Sequence, residues 1–276
     1  MNINKHLLLV ASLLLFSTSS KQVHQIAWLS LEEGLHYASI PLTSKSVIGD
    51  SQVDILKINM DRFQLKLLCA GEKGMPSKAA DRWAQDHKLL ALVNAGMFEL
   101  DGTQQTCTGY MKNYGYLNNP KLNPSYKNIL VFNAKDASHP AAQIIDITCQ
   151  SWNTLKLKYQ SYAQGIRMIN CEGKNTWQKD AKKWSMVLIG ENKAKELLFI
   201  FVRSPYTVHE FVNHLQGLDL GLTRLMYLEG GPEASFYLNH PKAQVQKMGS
   251  YETGFNENDD NKVYWNIPNV IGLVRK

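Results

Sequence analysis

The sequence lacks the short patterns by which many enzymes are read at sight. G-x-S-x-G, G-x-G-x-x-G, the P-loop and H-E-x-x-H are all absent, which removes the usual grounds for a serine hydrolase, a nucleotide-binding fold or a zinc protease. Cysteine is scarce: Cys69, Cys107, Cys149 and Cys171 are the four, and no two are spaced C-x-x-C. The common zinc and redox motifs are thereby excluded. The N-terminal apolar block, Leu7 to Phe16, is too short to cross a bilayer. There is no internal repeat, no linker and no shift of composition, so residues 21–276 read as one domain.

That block follows Lys5 and His6 and ends in Ser17-Thr18-Ser19-Ser20, the layout of a cleaved signal peptide over residues 1–20. No cysteine follows it, so a lipid anchor is not expected. A secreted or periplasmic chain meets an oxidising compartment, where the cysteines form up to two disulfides, with three pairings open, or stay as buried thiols.

With 44% hydrophobic and 20% charged residues the chain reads as globular. Its net charge is +6, yet Lys and Arg are scattered apart from Lys174, Lys179, Lys182 and Lys183. No aromatic-basic module accompanies them, so nucleic acid is not an expected partner, and an anionic ligand or surface accounts equally well for the excess. Oligomeric state is open.

Alternating or apolar runs predict strands over Val53–Met60 and Phe63–Leu68, joined by a hairpin or tight connection through Asp61-Arg62. A helix capped by Ser77 follows, with Ala79, Ala80, Trp83, Ala84 and His87 on one face. Leu89–Val93 is a buried strand, residues 99–127 a long loop or hairpin covering the site, and 128–132, 142–147 and 164–169 further strands. Ser151–Gln160 reads as a short helix. Trp184–Ile189 and Glu196–Val202 form a hairpin, and Thr207 with Glu210 makes a capping box for a helix ending at Gly217. Residues 239–262 are a polar stretch, before a last strand over 267–274. The expected fold is α+β or mixed α/β: a central mixed, largely antiparallel sheet flanked by helices, without the regular alternation of a doubly wound fold.

Two buried strands break into small-residue turns carrying polar groups. Leu225–Leu228 runs into Glu229-Gly230-Gly231-Pro232-Glu233-Ala234-Ser235, and Leu89–Val93 into Asn94-Ala95-Gly96. Such strand ends are common places for chemistry, although glycine-rich turns also exist for their geometry alone. Arg167 interrupts an apolar strand, so it is either paired or faces a cavity. His209 lies in the first turn of its helix and either lines the site or faces solvent. No cofactor motif appears. Glu257-Asn258-Asp259-Asp260-Asn261 leaves a divalent cation open, but it lacks the ligand alternation and glycine of a calcium loop and reads as solvated.

The ordered set Asn94-Ala95-Gly96-Met97-Phe98, Gln164-Gly165-Ile166-Arg167, Trp184-Ser185-Met186, Arg203-Ser204-Pro205-Tyr206, Glu229–Ser235 and Ile267-Pro268-Asn269-Val270 resembles the phosphodiester glycosidase family, over roughly residues 50–276. The resemblance implies hydrolysis of a sugar–phosphate diester, with a carbohydrate or glycosyl phosphate as substrate. It implies a catalytic set of Glu229, Glu233, Asn94 and Arg167, and a substrate-binding set of Gly96, Ser185, Arg203, His209, Gly230, Gly231, Ser235 and Asn269. Glu229 would be base or nucleophile, with Arg167 or Arg203 gripping phosphate. One member, the mammalian uncovering enzyme, has Asp followed by three glycines and serines at this turn, so Pro232 and Glu233 are departures. Two other classes stay open: another envelope-glycan or phosphodiester hydrolase, cation-assisted or not, and a binding protein that has lost turnover.

Overall fold

The computed structural model describes residues 26–99 and 106–276; the expected signal peptide lies outside them. Sixteen strands and three short helices make up the described residues, and every strand ladder is antiparallel. The expected mixed sheet is therefore corrected to two antiparallel sheets. The large one runs in the order β1 (Leu29–Glu32), β2 (Leu35–Pro41), β3 (Gln52–Ile58), β12 (Leu197–Tyr206), β11 (Trp184–Asn192), β13 (Leu222–Gly230), β10 (Tyr159–Ile169), β6 (Met111–Asn113), β7 (Tyr116–Asn119). Beside β10 it also carries β8 (Asn128–Ala134), which pairs with β9 (Ala142–Asp146). The small sheet is β15 (Ala243–Met248), β14 (Ser235–His240), β5 (Ala91–Asn94), β16 (Asn269–Arg275), β4 (Phe63–Cys69).

The central strands read as continuous apolar runs because both their faces are covered. In β12, Leu197, Phe199 and Phe201 point into the core shared with the small sheet, while Leu198, Ile200 and Val202 point outward into a second core. Phe201 of one sheet meets Phe236 of the other, ring centroids 6.3 Å apart. The outward core is closed by α3 (Val208–Gly217), which buries Val208, Phe211, Val212 and Leu215. Helix α1 (Ala80–His87) covers the outer face of the small sheet through Trp83. The helices are short covers, and the third, α2 (Trp152–Leu155), is a single turn.

Thr207 caps α3 as expected, its Oγ1 accepting from the Glu210 amide at 3.2 Å, while Glu210 closes back onto the Thr207 hydroxyl, which donates to its carboxylate at 2.9 Å, and not onto the Thr207 amide. Other details differ. Asp61-Arg62 is no hairpin turn, because β3 and β4 belong to different sheets and the chain crosses from one to the other there. Helix α1 starts after Ala79, which cannot cap it, and not at Ser77. The polar stretch after residue 239 contains β15, an edge strand alternating between half-buried and exposed residues. One disulfide forms, Cys149–Cys171; Cys69 and Cys107 are buried free thiols of the inter-sheet core. Among the described residues no helix is long and apolar enough to cross a membrane.

Candidate active site

Strand β13 sets the site by an irregularity. Its partners on β11 jump between Val187, opposite Glu229, and Leu188, opposite Tyr227, which leaves Leu228 as an extra residue. Such a bulge re-aims the following side chain. Leu228 stays in the inter-sheet core, and Glu229 opens with Tyr227 onto the outer face. There they line a pocket of about 300 Å³. Its walls are apolar and aromatic: Met97, Phe98, Ile166, Trp177 and Trp184. Its polar groups are three carboxylates, Glu229, Glu233 and Glu252.

Beyond Gly230, residues Gly231–Glu233 form a single 3-10 turn, entered at φ +63° by Gly231 and continued by Pro232. At Gly230 space is the constraint, since a Cβ would lie 2.0 Å from the Tyr227 hydroxyl and 2.6 Å from the Trp184 ring. The turn is pinned from the small sheet. Asn94 donates to the Glu233 carbonyl at 3.0 Å and accepts from the Ser235 amide at 2.8 Å. Ser235 Oγ donates to the same carbonyl.

No Lys, Arg or His pairs with any of the three carboxylates among the described residues. Burial pushes the Glu229 carboxyl well above the ordinary carboxylate range; the hydrogen bond it accepts from the Gly230 amide opposes this, and the charges of Glu233 and Glu252 add to it. Burial also raises Glu233 and Glu252, the latter moderated by Lys182. Burial, then the charges of Glu229 and Glu252, hold the Tyr227 phenol protonated. The indole N–H of Trp184 sits beside that phenol, is buried, and has no acceptor of hydrogen-bonding geometry among the described residues. Carboxyls raised towards the neutral form, a phenol and an indole N–H line the pocket between aromatic walls.

The other expected site residues are placed elsewhere. Arg167 follows Ile166 in β10 and points away from the pocket, bonding both Asp146 oxygens at 3.1–3.2 Å and Thr148 Oγ1 at 2.8 Å. Arg203 is consumed by the 248–261 segment, donating to the Asp259 carboxylate and to the carbonyls of Met248, Asp259 and Asn261. The acidic stretch thus cradles a guanidinium. Ser185 Oγ donates to the Arg203 carbonyl and accepts from the amides of Ser250 and Tyr251, which fixes the segment that delivers Glu252. His209 Nδ1 lies 2.7 Å from the Trp177 carbonyl and so holds a wall of the pocket. Gly96 packs near Cys107 Sγ, and Asn269 sits buried at the start of β16, its Nδ2 without a partner among the described residues. The sequence reading missed Glu252, which lies in a stretch without apolar period, and the aromatic walls Trp177 and Trp184. The close set of possible metal-ligating residues among the described ones is Asp146, Cys149 and Cys171, whose thiols are joined to each other.

No curated protein matches the chain. Among solved structures, the catalytic domain of zebrafish N-acetylglucosamine-1-phosphodiester alpha-N-acetylglucosaminidase, auto-inhibited by its pro-peptide, is similar in fold, with a TM-score of 0.59 at 15% identity over 91% of this chain and 87% of that one. A hypothetical protein from Synechocystis gives 0.58 at 12% identity, over 92% of this chain and 64% of that one. The sequence profile described as phosphodiester glycosidase matches residues 87–274, a span that begins at the end of α1 and takes in Asn94, β13 with its turn, and Glu252. The chain belongs to the phosphodiester glycosidase family.

Proposed function

We propose that the chain is an exported glycosidase, a single domain after a cleaved leader, that cleaves a sugar–phosphate diester with the sugar in the carboxylate pocket. The observation that carries this reading is the trio Glu229, Glu233 and Glu252, unpaired under aromatic walls. Among the described residues no cation pairs with these partly buried carboxylates, an arrangement that costs stability. Glycoside cleavage needs such groups: a pair of carboxyls with different proton affinities divides the work between acid and base or nucleophile.

Glu229, the most strongly raised, serves as the acid: its proton passes to the phosphate oxygen as the anomeric C–O bond breaks, and the positive charge developing at the anomeric carbon favours the carboxylate left behind. Glu233 and Glu252 ionise more readily; one of them activates water or attacks the anomeric carbon. The departing phosphate monoester needs little protonation, so the site's main task is to stabilise positive charge. With Arg167 and Arg203 engaged elsewhere, the phosphate lies at the mouth, where Lys182 is close enough to act on Glu252. The exported location is supported by the disulfide.

Turnover of purified protein on a panel of glycosyl phosphodiesters and aryl glycosides, with and without chelator, tests the reading. Glu229→Gln is expected to lower kcat by about 10²–10⁴-fold, the usual worth of acid–base catalysis. Unchanged turnover in that variant sinks the assignment. Sugar binding by the unaltered protein without any product would make it a binding protein instead.

A further inference from the structure

Two surface features outside the site just described lie side by side. The first is a second groove, of about 440 Å³, between the β6–β7 hairpin, the end of β8 and the start of β10. Lys112, Lys135 and Lys156 line it, no acidic residue does, and none of the three forms an ion pair among the described residues. Its floor is rigid and aromatic. Tyr162 is buried with its hydroxyl donated inward to the Tyr159 carbonyl, Tyr110 stacks on it at 5.9 Å between centroids, and the Lys112 ammonium lies 5.7 Å from its ring centre.

The second is a strained aromatic at the rim of that groove. Tyr114 turns the β6–β7 hairpin at φ +48° while 46% exposed. A bulky side chain at positive φ is an outlier that other contacts must hold in place, and such outliers concentrate at functional positions. The strain here projects a flat ring into solvent beside three unpaired cations.

We propose that this groove is a binding site for a phosphorylated saccharide: the sugar ring lies on Tyr114 and Tyr110, and the lysines take the phosphate. Tyrosine offers broad, rigid, amphipathic contact at little entropic cost, and a lysine cluster without acids is a point-charge phosphate site. The volume suits one or two monosaccharide units; a run of stacked bases needs a longer channel. Position adds a further reason. Side chains alternate along β10, so Tyr162, Gln164 and Ile166 share one face, and Ile166 lines the carboxylate pocket. The two sites thus lie on one face of the large sheet, separated by four residues of strand, roughly 13 Å. That the groove holds the remote part of the same substrate rests on the function proposed above; that it binds a phosphorylated sugar does not.

Calorimetric titration of the full chain at low salt tests this, using glucose 6-phosphate, whose free anomeric carbon carries no phosphate to cleave. Glucose, inorganic phosphate and a thymidine oligonucleotide serve as comparison probes. The combined variant Lys112→Ala, Lys135→Ala, Lys156→Ala is expected to weaken glucose 6-phosphate binding at least about tenfold, with Tyr114→Ala weakening it less. Thermal midpoints check that both variants are folded, and turnover of small aryl glycosides by the lysine variant should be unchanged. Equal affinity in the folded lysine variant overturns the proposal. So does phosphate alone binding as tightly as the sugar phosphate, or the oligonucleotide binding more tightly than either. Lysine-dependent binding together with full turnover by Glu229→Gln leaves this proposal standing and removes the catalytic one.

Discussion

Glu229 and Arg167 sit on neighbouring strands and carry the same signature, a charge set in an apolar run. Ile166 and Tyr227, each next to one of the two in space or sequence, are themselves paired across β10 and β13. The fates of the two charges are opposite. Arg167 turns to one face of the sheet, where the fully buried Asp146 and Thr148 accept from it. Glu229 turns to the other, where among the described residues the next amide donates to it and two more carboxylates and the Tyr227 phenol lie near. A buried charge with a partner is compensated within the fold; a partly buried carboxylate left among like charges is not, and that is the contrast the proposed function rests on. The pair also accounts for the absence of Arg167 from the pocket: its guanidinium is already engaged by Asp146 and Thr148.

The largest expected effect separates the two. Arg167→Leu leaves Asp146 buried beside its Thr148 bonds alone, and should destabilise by about 3 kcal/mol, the low end for breaking a buried pair. The folded fraction should keep its kcat. Denaturant unfolding with matched turnover checks both. Glu229→Gln should do the reverse: kcat falls as stated, while stability rises by roughly 0.5–2 kcal/mol, as expected when a strained functional group is neutralised. A Glu229→Gln protein that is both inactive and less stable would break the contrast.

The pH dependence sharpens it. Burial raises Asp146 too, but the Thr148 hydroxyl and amide and the Arg167 charge outweigh this and hold its carboxyl below the ordinary 3.8. A carboxylate with a lowered folded value contributes stability that is present above the unfolded value and lost as pH falls through the folded one. Glu229 is raised above the ordinary 4.5. From 4.5 up to its folded value the native state holds a proton that the unfolded chain has lost, so stability falls as pH rises through that window. Thermal melts across pH should therefore show an acid limb that Arg167→Leu weakens and a neutral-side decline that Glu229→Gln flattens.

Next in size is the strut between the sheets. Asn94 satisfies a carbonyl and an amide of the Glu233 turn. Asn94→Ala strands both in the interior, at about 1–3 kcal/mol in all, and should lower kcat by letting Glu233 move. Restored activity in Asn94→Gln would argue instead for a direct amide contact with substrate.

These residues also show what a sequence discloses. The strands were legible wherever apolar runs met turn residues, and the α3 cap was legible because its signal spans four residues. That Glu229 ends an apolar run was equally plain. The sequence could not tell its role from that of Arg167, because the deciding partner, Asp146, is 21 residues from Arg167 in the chain and on another strand. Glu252 had no local mark at all; it reaches the pocket because Ser185 binds the backbone of Ser250 and Tyr251. The change of sheet between β3 and β4 was hidden for a related reason: both strands present an inward face to the same core. Pairing across sheets is a long-range fact, and periodicity is a local one.

The smallest effect concerns Pro232, the departure from the glycine-rich turn of the uncovering enzyme. It stands at the start of the 3-10 turn, where an amide would have no partner within the turn, so its missing N–H costs nothing there. Its fixed φ restricts the unfolded chain, and Pro232→Ala should cost only about 0.4–1 kcal/mol. Glu229 and Glu233 are anchored by the β13–β11 ladder and by Asn94, so turnover should hold within about twofold of the starting protein, a change worth less than 0.5 kcal/mol in the barrier. A larger gain would mean that the alanine's amide reaches the substrate, and that the proline had been withholding a donor from the pocket; a larger loss would mean that the turn, and not its anchors, sets the spacing of the carboxylates.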